Sequence, residues 1–173
     1  GAHYTIKGIG LNETRATIID TLNAMGADIT IHNKAGEDFE PYGDIEVKHS
    51  LLKNIHIPEK DIPFLIDEIP ILAVASMFGH GTFKVSGAKE LRVKESDRIE
   101  TTGELIRAMG GTFNAFEDGF ECEPPDSFSE FTASSFGDHR IAMSGIIGAI
   151  GAQVPATIDG CDCIKTSFPN FFD

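Results

Sequence analysis

The sequence predicts a mixed fold, α+β or α/β, assembled from repeated units whose buried parallel helices are backed by small sheets. Three observations carry this reading: two segments follow one plan, two helical stretches are apolar nearly all round, and short alternating runs stand between them. Thr5-Ile6-Lys7-Gly8 opens a stretch ending Ala24-Met25-Gly26-Ala27-Asp28-Ile29-Thr30-Ile31. Val85-Ser86-Gly87 opens one ending Ala108-Met109-Gly110-Gly111-Thr112-Phe113, and the two endings lie 84 residues apart. Thr157-Ile158-Asp159-Gly160 opens a third unit, expected to be cut short at Asp173.

The first helix shows an apolar stripe of Ile18, Ile19, Leu22 and Met25, with Asn12 suited to the N-cap and Gly26 to C′. Strands follow over 28–32 and 44–49. A helix over 68–78 tolerates Pro70 only in its first turn and follows Asp67; its all-round apolar surface demands burial. A Thr82-led strand leads to the second unit's helix. There Ile99, Thr102, Ile106 and Met109 repeat the stripe, Ser96 is expected to cap the start, and Gly110 ends it. Strands over 112–116 and 120–123 are read as a hairpin turning at Asp118-Gly119. Asp138 precedes a second buried helix over 139–150, studded with Gly145, Gly148 and Ala149. A Thr157-led strand and a short aromatic-anchored helix complete the order.

At 173 residues, with 41% hydrophobic and 24% charged residues, the chain is expected to fold as one domain over 1–173. Its net charge of −13 argues against nucleic acid and anionic membranes as partners. The longest apolar stretch, 69–78, falls short of the roughly 20 residues that span a bilayer, and no signal peptide is expected from the opening residues. Cys122, Cys161 and Cys163 form no disulfide framework, which fits a reducing, cytoplasmic setting, and the Cys161-x-Cys163 pair is read as structural.

Four features can carry chemistry. In Glu90-Leu91-Arg92-Val93-Lys94-Glu95-Ser96-Asp97-Arg98, basic residues enter a helix start, where they oppose the dipole. The run is either a solvated face or an anion site in which Glu95 moves a proton. In Asp138-His139-Arg140, a guanidinium at the mouth of a buried helix needs a carboxylate or phosphate. Lys165 reads as an exposed lysine or a third cation, and Asp67, before a buried helix, has helix capping as its ordinary reading. Arg98, Arg140 and Lys165 are expected to converge on one anion site.

Three ordered motifs, Leu91-Arg92-Val93-Lys94-Glu95-Ser96-Asp97-Arg98-Ile99, Asp138-His139-Arg140-Ile141-Ala142-Met143-Ser144 and Lys165-Thr166-Ser167-Phe168-Pro169, resemble the signature of the 5-enolpyruvylshikimate-3-phosphate synthases. Ile66-Asp67-Glu68 also matches, and the likeness runs from about Tyr4 to Phe172. The resemblance implies repeated βαβαββ units and two domains closing around shikimate-3-phosphate and phosphoenolpyruvate, of which this chain matches the carboxyl-terminal one. The amino-terminal domain, a partner in catalysis, is expected to be absent. Asp67 matches the aspartate on the shikimate-3-phosphate 5-hydroxyl and Lys94 a contact to the same substrate. Glu95 matches the glutamate near the methylene carbon of phosphoenolpyruvate; Arg98, Arg140 and Lys165 match cations holding that substrate, Lys165 sharing in proton transfer, and His139 matches the neighbouring site histidine. No metal or organic cofactor is implied. The rival readings are a UDP-amino-sugar enolpyruvyl transferase and an isolated domain that only binds anions weakly.

Overall fold

The computed structural model describes residues 1–36 and 40–173. Where length and composition predict one domain, the chain divides into two compact units, Gly1–Lys53 and Asn54–Asp173. Composition measures how much core a chain can build, whereas the division depends on which elements each core gathers.

In the first unit, β1 (His3–Gly10), α1 (Glu13–Ala24), β2 (Asp28–Ala35) and β3 (Tyr42–Lys48) form an antiparallel sheet of order β1-β3-β2, with α1 packed against β2. Register pairs Ile6 with Ile45 and Ile45 with Ile31, so one face is apolar and the alternate face polar. Each outer strand carries an irregularity, at Gly8 (φ 67°) and at Asn33 (φ 52°). Asp44 on the central strand accepts from the Gly8 N–H at 3.0 Å and the Asn33 amide at 2.7 Å, so one carboxylate secures both bulges. As expected, Asn12 caps α1 by accepting from the Thr14 N–H at 3.1 Å.

On the polar face, Glu46 Oε1 lies 2.7 Å from His3 Nε2, and Oε2 lies 3.1 Å from His32 Nε2, tying all three strands together. Hydrogen bonds from His32 and then His3 hold the Glu46 carboxyl down to about 2, against 4.5 ordinarily. A depressed carboxyl contributes stability above its unfolded value and loses it as pH falls through its folded value. The thermal midpoint of the first unit is therefore expected to drop between pH 4.5 and 2, and E46Q to flatten that drop. Both tyrosines, Tyr4 and Tyr42, lie in this unit and the chain has no tryptophan, so the tyrosine signal reads it selectively. Equal acid dependence in E46Q and the parent would refute the assignment.

The second unit contains β4 (His56–Ile57), α2 (Ile62–Leu65), α3 (Ile69–Ser76), β5 (Phe83–Val85), α4 (Arg98–Ala108), β6 (Thr112–Phe116), β7 (Gly119–Glu123), β8 (Phe131–Ser134), α5 (His139–Ala152) and β9 (Ala156–Asp159). A four-stranded sheet runs β4-β5-β7-β6; β8 and β9 pair in parallel, joined through α5. Helices α3, α4 and α5 pack together through Ile69, Leu72, Ile99, Leu105, Ile106 and Ile141, each at most 1% exposed. Burying one such side chain fully stabilises by about 1.5–3 kcal/mol. Small residues make this possible: a Cβ on Gly148 would sit 3.0 Å from Met109 Sδ of α4 and 3.1 Å from Val74 Cγ1 of α3. None of the described helices is long and apolar enough to cross a membrane.

The repeat is visible in the backbone. Helices α1 and α4 both end on a buried methionine, Met25 (φ −75°, ψ −1°) and Met109 (φ −73°, ψ −3°), followed by a left-handed glycine, Gly26 (φ 93°) and Gly110 (φ 90°). Other expectations shift. Asp97, not Ser96, caps α4, accepting from the Ile99 and Glu100 N–H groups. Helix α3 covers Ile69–Ser76, and Asp67 does not cap it. The hairpin turns on Glu117-Asp118, with Gly119 already in β7, where a Cβ would collide with the Val85 carbonyl oxygen. Helix α5 runs on to Ala152 because Gln153 itself adopts φ 56° as the cap. Past Gly160 a 3-10 helix covers Cys161–Thr166, and the aromatic end after it, expected to be a short helix, forms turns.

Candidate functional site

Three chain segments of the second unit meet at one buried guanidinium. Arg98, the first residue of α4, is 1% exposed. Its Nε donates to Asp138 Oδ2 at 2.8 Å, Nη1 to Asp67 Oδ1 at 3.1 Å, and Nη2 to Glu95 Oε2 at 2.6 Å and to Asp138 Oδ1 at 3.4 Å. A charged group so deeply buried is tolerated only when paired, and here three carboxylates share it. Burial pulls the Arg98 pKa down, but Asp138 first among its partners raises it above the ordinary value, so the group stays charged.

Asp138 is wholly buried and joins two helices. Besides Arg98 it accepts from the Arg140 backbone N–H at 2.9 Å, capping α5, and from Ser96 Oγ at 3.0 Å. Burial pushes its carboxyl up, and the Arg98 hydrogen bonds together with the Arg140 N–H outweigh that, leaving it below the ordinary range.

Asp67, in the turn between α2 and α3, faces both arginines. The Arg140 Nη1 donates to its backbone oxygen at 2.9 Å, and Arg140 Nη2 stands 3.4 Å from Oδ2, with Glu68 Oε1 3.7 Å from Nη1. Burial raises the Asp67 pKa, whereas Arg140, Arg98 and, more weakly, Lys94 lower it; the net shift is downward. The result is a carboxylate held ionised beside two arginines. Glu95 is half exposed at the end of its Arg98 contact. Next to Asp67 and Arg140 a cleft of about 190 Å³ opens, walled by Ile71, Met143, Ser144 and Ile147. It pairs a charged mouth with an apolar side.

Of the residues singled out from sequence, Asp67, Glu95, Arg98 and Arg140 come together, and Lys94 is near enough to act on Asp67. His139 is half-buried in the first turn of α5. Lys165 stands apart from the expected convergence: it is 70% exposed and pairs with Asp162 at 2.8 Å, which raises its pKa. Sequence reasoning missed the keystone role of Asp138, read there only as a cap, and Ser96 as its hydrogen-bond donor; an Asp immediately before a buried Arg-bearing helix was the available signal.

The family described as EPSP synthase (3-phosphoshikimate 1-carboxyvinyltransferase) matches residues 1–173. The 3-phosphoshikimate 1-carboxyvinyltransferase of Geotalea daltonii is 43% identical over 171 residues, covering 99% of this chain and 40% of that protein. The protein of the same description from Akkermansia muciniphila is 45% identical over 174 residues, with the same two shares. Among solved structures, an EPSP synthase from Acinetobacter baumannii matches with a TM-score of 0.91 and 40% identity over 99% of this chain and 40% of that one. The enolpyruvyl transferase NikO from Streptomyces tendae, at a TM-score of 0.66 and 15% identity over 96% of this chain and 36% of its own, shares the fold. The chain thus spans about 40% of the length of the curated relatives it matches.

Proposed function

Since this chain belongs to the EPSP synthase family, we propose that it is the carboxyl-terminal domain of a cytoplasmic transferase in aromatic amino-acid biosynthesis. The enzyme moves the enolpyruvyl group of phosphoenolpyruvate onto the 5-hydroxyl of shikimate-3-phosphate and releases phosphate, without metal or organic cofactor. One observation carries the reading: two carboxylates suited to opposite proton transfers, Asp67 and Glu95, share the buried Arg98 guanidinium, and Arg140 stands beside Asp67.

Addition across the enol double bond needs a proton taken from the attacking hydroxyl and one given to the methylene carbon. In this reading Asp67, kept ionised by its cations, takes the first, and Glu95 gives the second. Arg140 and Lys165 hold the carboxylate and phosphate of phosphoenolpyruvate, whereas Arg98, buried and given wholly to Asp138, Asp67 and Glu95, reaches that substrate only by exchanging a carboxylate partner for it. Lys94 contacts shikimate-3-phosphate, His139 lies beside the substrates, and Lys165 assists proton transfer. Because Lys165 now pairs with Asp162, joining the site requires exchanging that partner for substrate.

Phosphate release with both substrates present tests this. The full-length protein is expected to turn over, and the chain 1–173 alone not to, regaining activity when the separately made remainder is added. Absence of turnover by the full-length protein would overturn the function. Turnover by the chain alone at about 1–1000 per second, ordinary enzyme rates, would overturn the assignment of a missing catalytic partner.

A further inference from the structure

The segment bearing Lys94 and Glu95 has no regular structure of its own between the 3-10 turn Lys89–Val93 and the first residue of α4. At its far end Arg98 is locked by Asp138. Its near end is held by Arg92, a residue outside the set that meets Asp67. Arg92 Nε donates to the Glu117 backbone oxygen at 2.8 Å and Nη2 to the Phe116 backbone oxygen at 2.6 Å. Its Nη1 donates to Asp97 Oδ2 at 2.8 Å and to Glu100 Oε1 at 3.2 Å. Asp97 spends its other oxygen, Oδ1, on capping α4. One planar fork therefore ties the β6–β7 hairpin turn to the N-cap of the helix that carries Arg98. The turn grips the same segment again: the Ala88 N–H donates to the Asp118 backbone oxygen at 2.6 Å, the Gly87 N–H to Asp118 Oδ2 at 3.2 Å, and Lys89 Nζ pairs with Glu117 at 3.0 Å.

The geometry points to Arg92 as a positioning residue, bracing the hairpin turn against Asp97 so that Lys94 and Glu95 are presented at the site. This rests on the proposed proton-transfer role of Glu95. The fork is what the place requires: a lysine supplies the charge at one point and cannot reach two carbonyls and two carboxylates together. Arg92 is about a quarter exposed, and its ion pairs are worth little to global stability. Displacing a reacting group by about 1 Å, by contrast, can cost about a hundredfold in rate.

The test uses full-length protein carrying R92Q or R92K, with three readouts. Both variants are expected to lose roughly tenfold to a hundredfold in kcat, with KM for phosphoenolpyruvate within about threefold and the thermal midpoint lowered by only a few degrees. Amide hydrogen exchange over residues 94–97 is expected to quicken while that of α5 does not change. If R92Q fails to fold, R92K is read by the same criteria. A kcat within threefold of the parent, or full restoration by R92K, overturns the brace. Unchanged exchange over 94–97 also overturns it, whatever the turnover. A parent protein that releases no phosphate refutes the proposed reaction instead, and the exchange measurement then decides the brace by itself.

Discussion

Asp138→Ala is expected to destabilise the second unit by about 3–5 kcal/mol, the usual cost of removing one partner of a buried ion pair. Arg98 would keep Asp67 and Glu95, but its Nε would lose the Asp138 oxygen inside a region with almost no solvent. The α5 N-cap and the Ser96 acceptor would go with it. Asp138→Asn keeps the cap and the shape, so it is expected to lose less. Against a total of about 5–15 kcal/mol for an ordinary domain, the alanine variant gives up a fifth or more. Urea unfolding of chain 1–173 followed by helical circular dichroism measures it. A loss below about 1 kcal/mol would mean that Asp138 is not the keystone its contacts suggest.

Glu95→Gln in the full-length protein is expected to lower kcat by about 10²–10⁴, the usual worth of a positioned general acid or base, and to leave KM for both substrates within a few-fold. Glutamine is nearly isosteric, and its amide oxygen can still accept from Arg98 Nη2, so Arg98 does not lose its acceptor. What disappears is the exchangeable proton. Because the side chain is half exposed, no large change in stability accompanies the loss. A kcat within about threefold of the parent would remove Glu95 from the chemistry.

Features coded by neighbours in the chain were legible. The Met-Gly helix ends read correctly because a left-handed glycine needs only its own backbone to stop a helix. Helix α3 is buried as its all-round apolar surface requires, whereas α5 buries only one face, through Ile141, Ala142, Ser144, Gly145 and Gly148, and leaves Ile147 and Ile150 exposed. Features decided by distant partners were not. Ser96 and Asp97 are equally good caps by type, and the choice falls to Asp97 while Ser96 turns its hydroxyl to Asp138, 42 residues away. Gly119 looked like a turn residue, yet the close approach of β5 is what requires it within a strand. The meeting of Asp67 with Arg98 and Arg140 came from motif resemblance, since no periodicity relates positions 31 and 73 residues apart. Lys165 paired with Asp162 one 3-10 turn earlier, a local signal outweighed by the expectation of convergence.

The parallel pairing of β8 with β9 predicts an order of events in the refolding chain. The β6–β7 hairpin closes over two residues, and hairpins of that kind form in about 1–10 μs. Phe131 can meet Ala156 only after the chain has run through α5 and returned, a non-local closure that comes slowly. Arg92 reaches its hairpin carbonyls across 24 and 25 residues, whereas Arg98 and Asp138 are separated by 40, with Asp138 lying inside that crossover. The Lys94–Glu95 segment is thus expected to be tethered at its near end before it is locked at Arg98, since the hairpin is local and the Asp138 contact waits on the crossover.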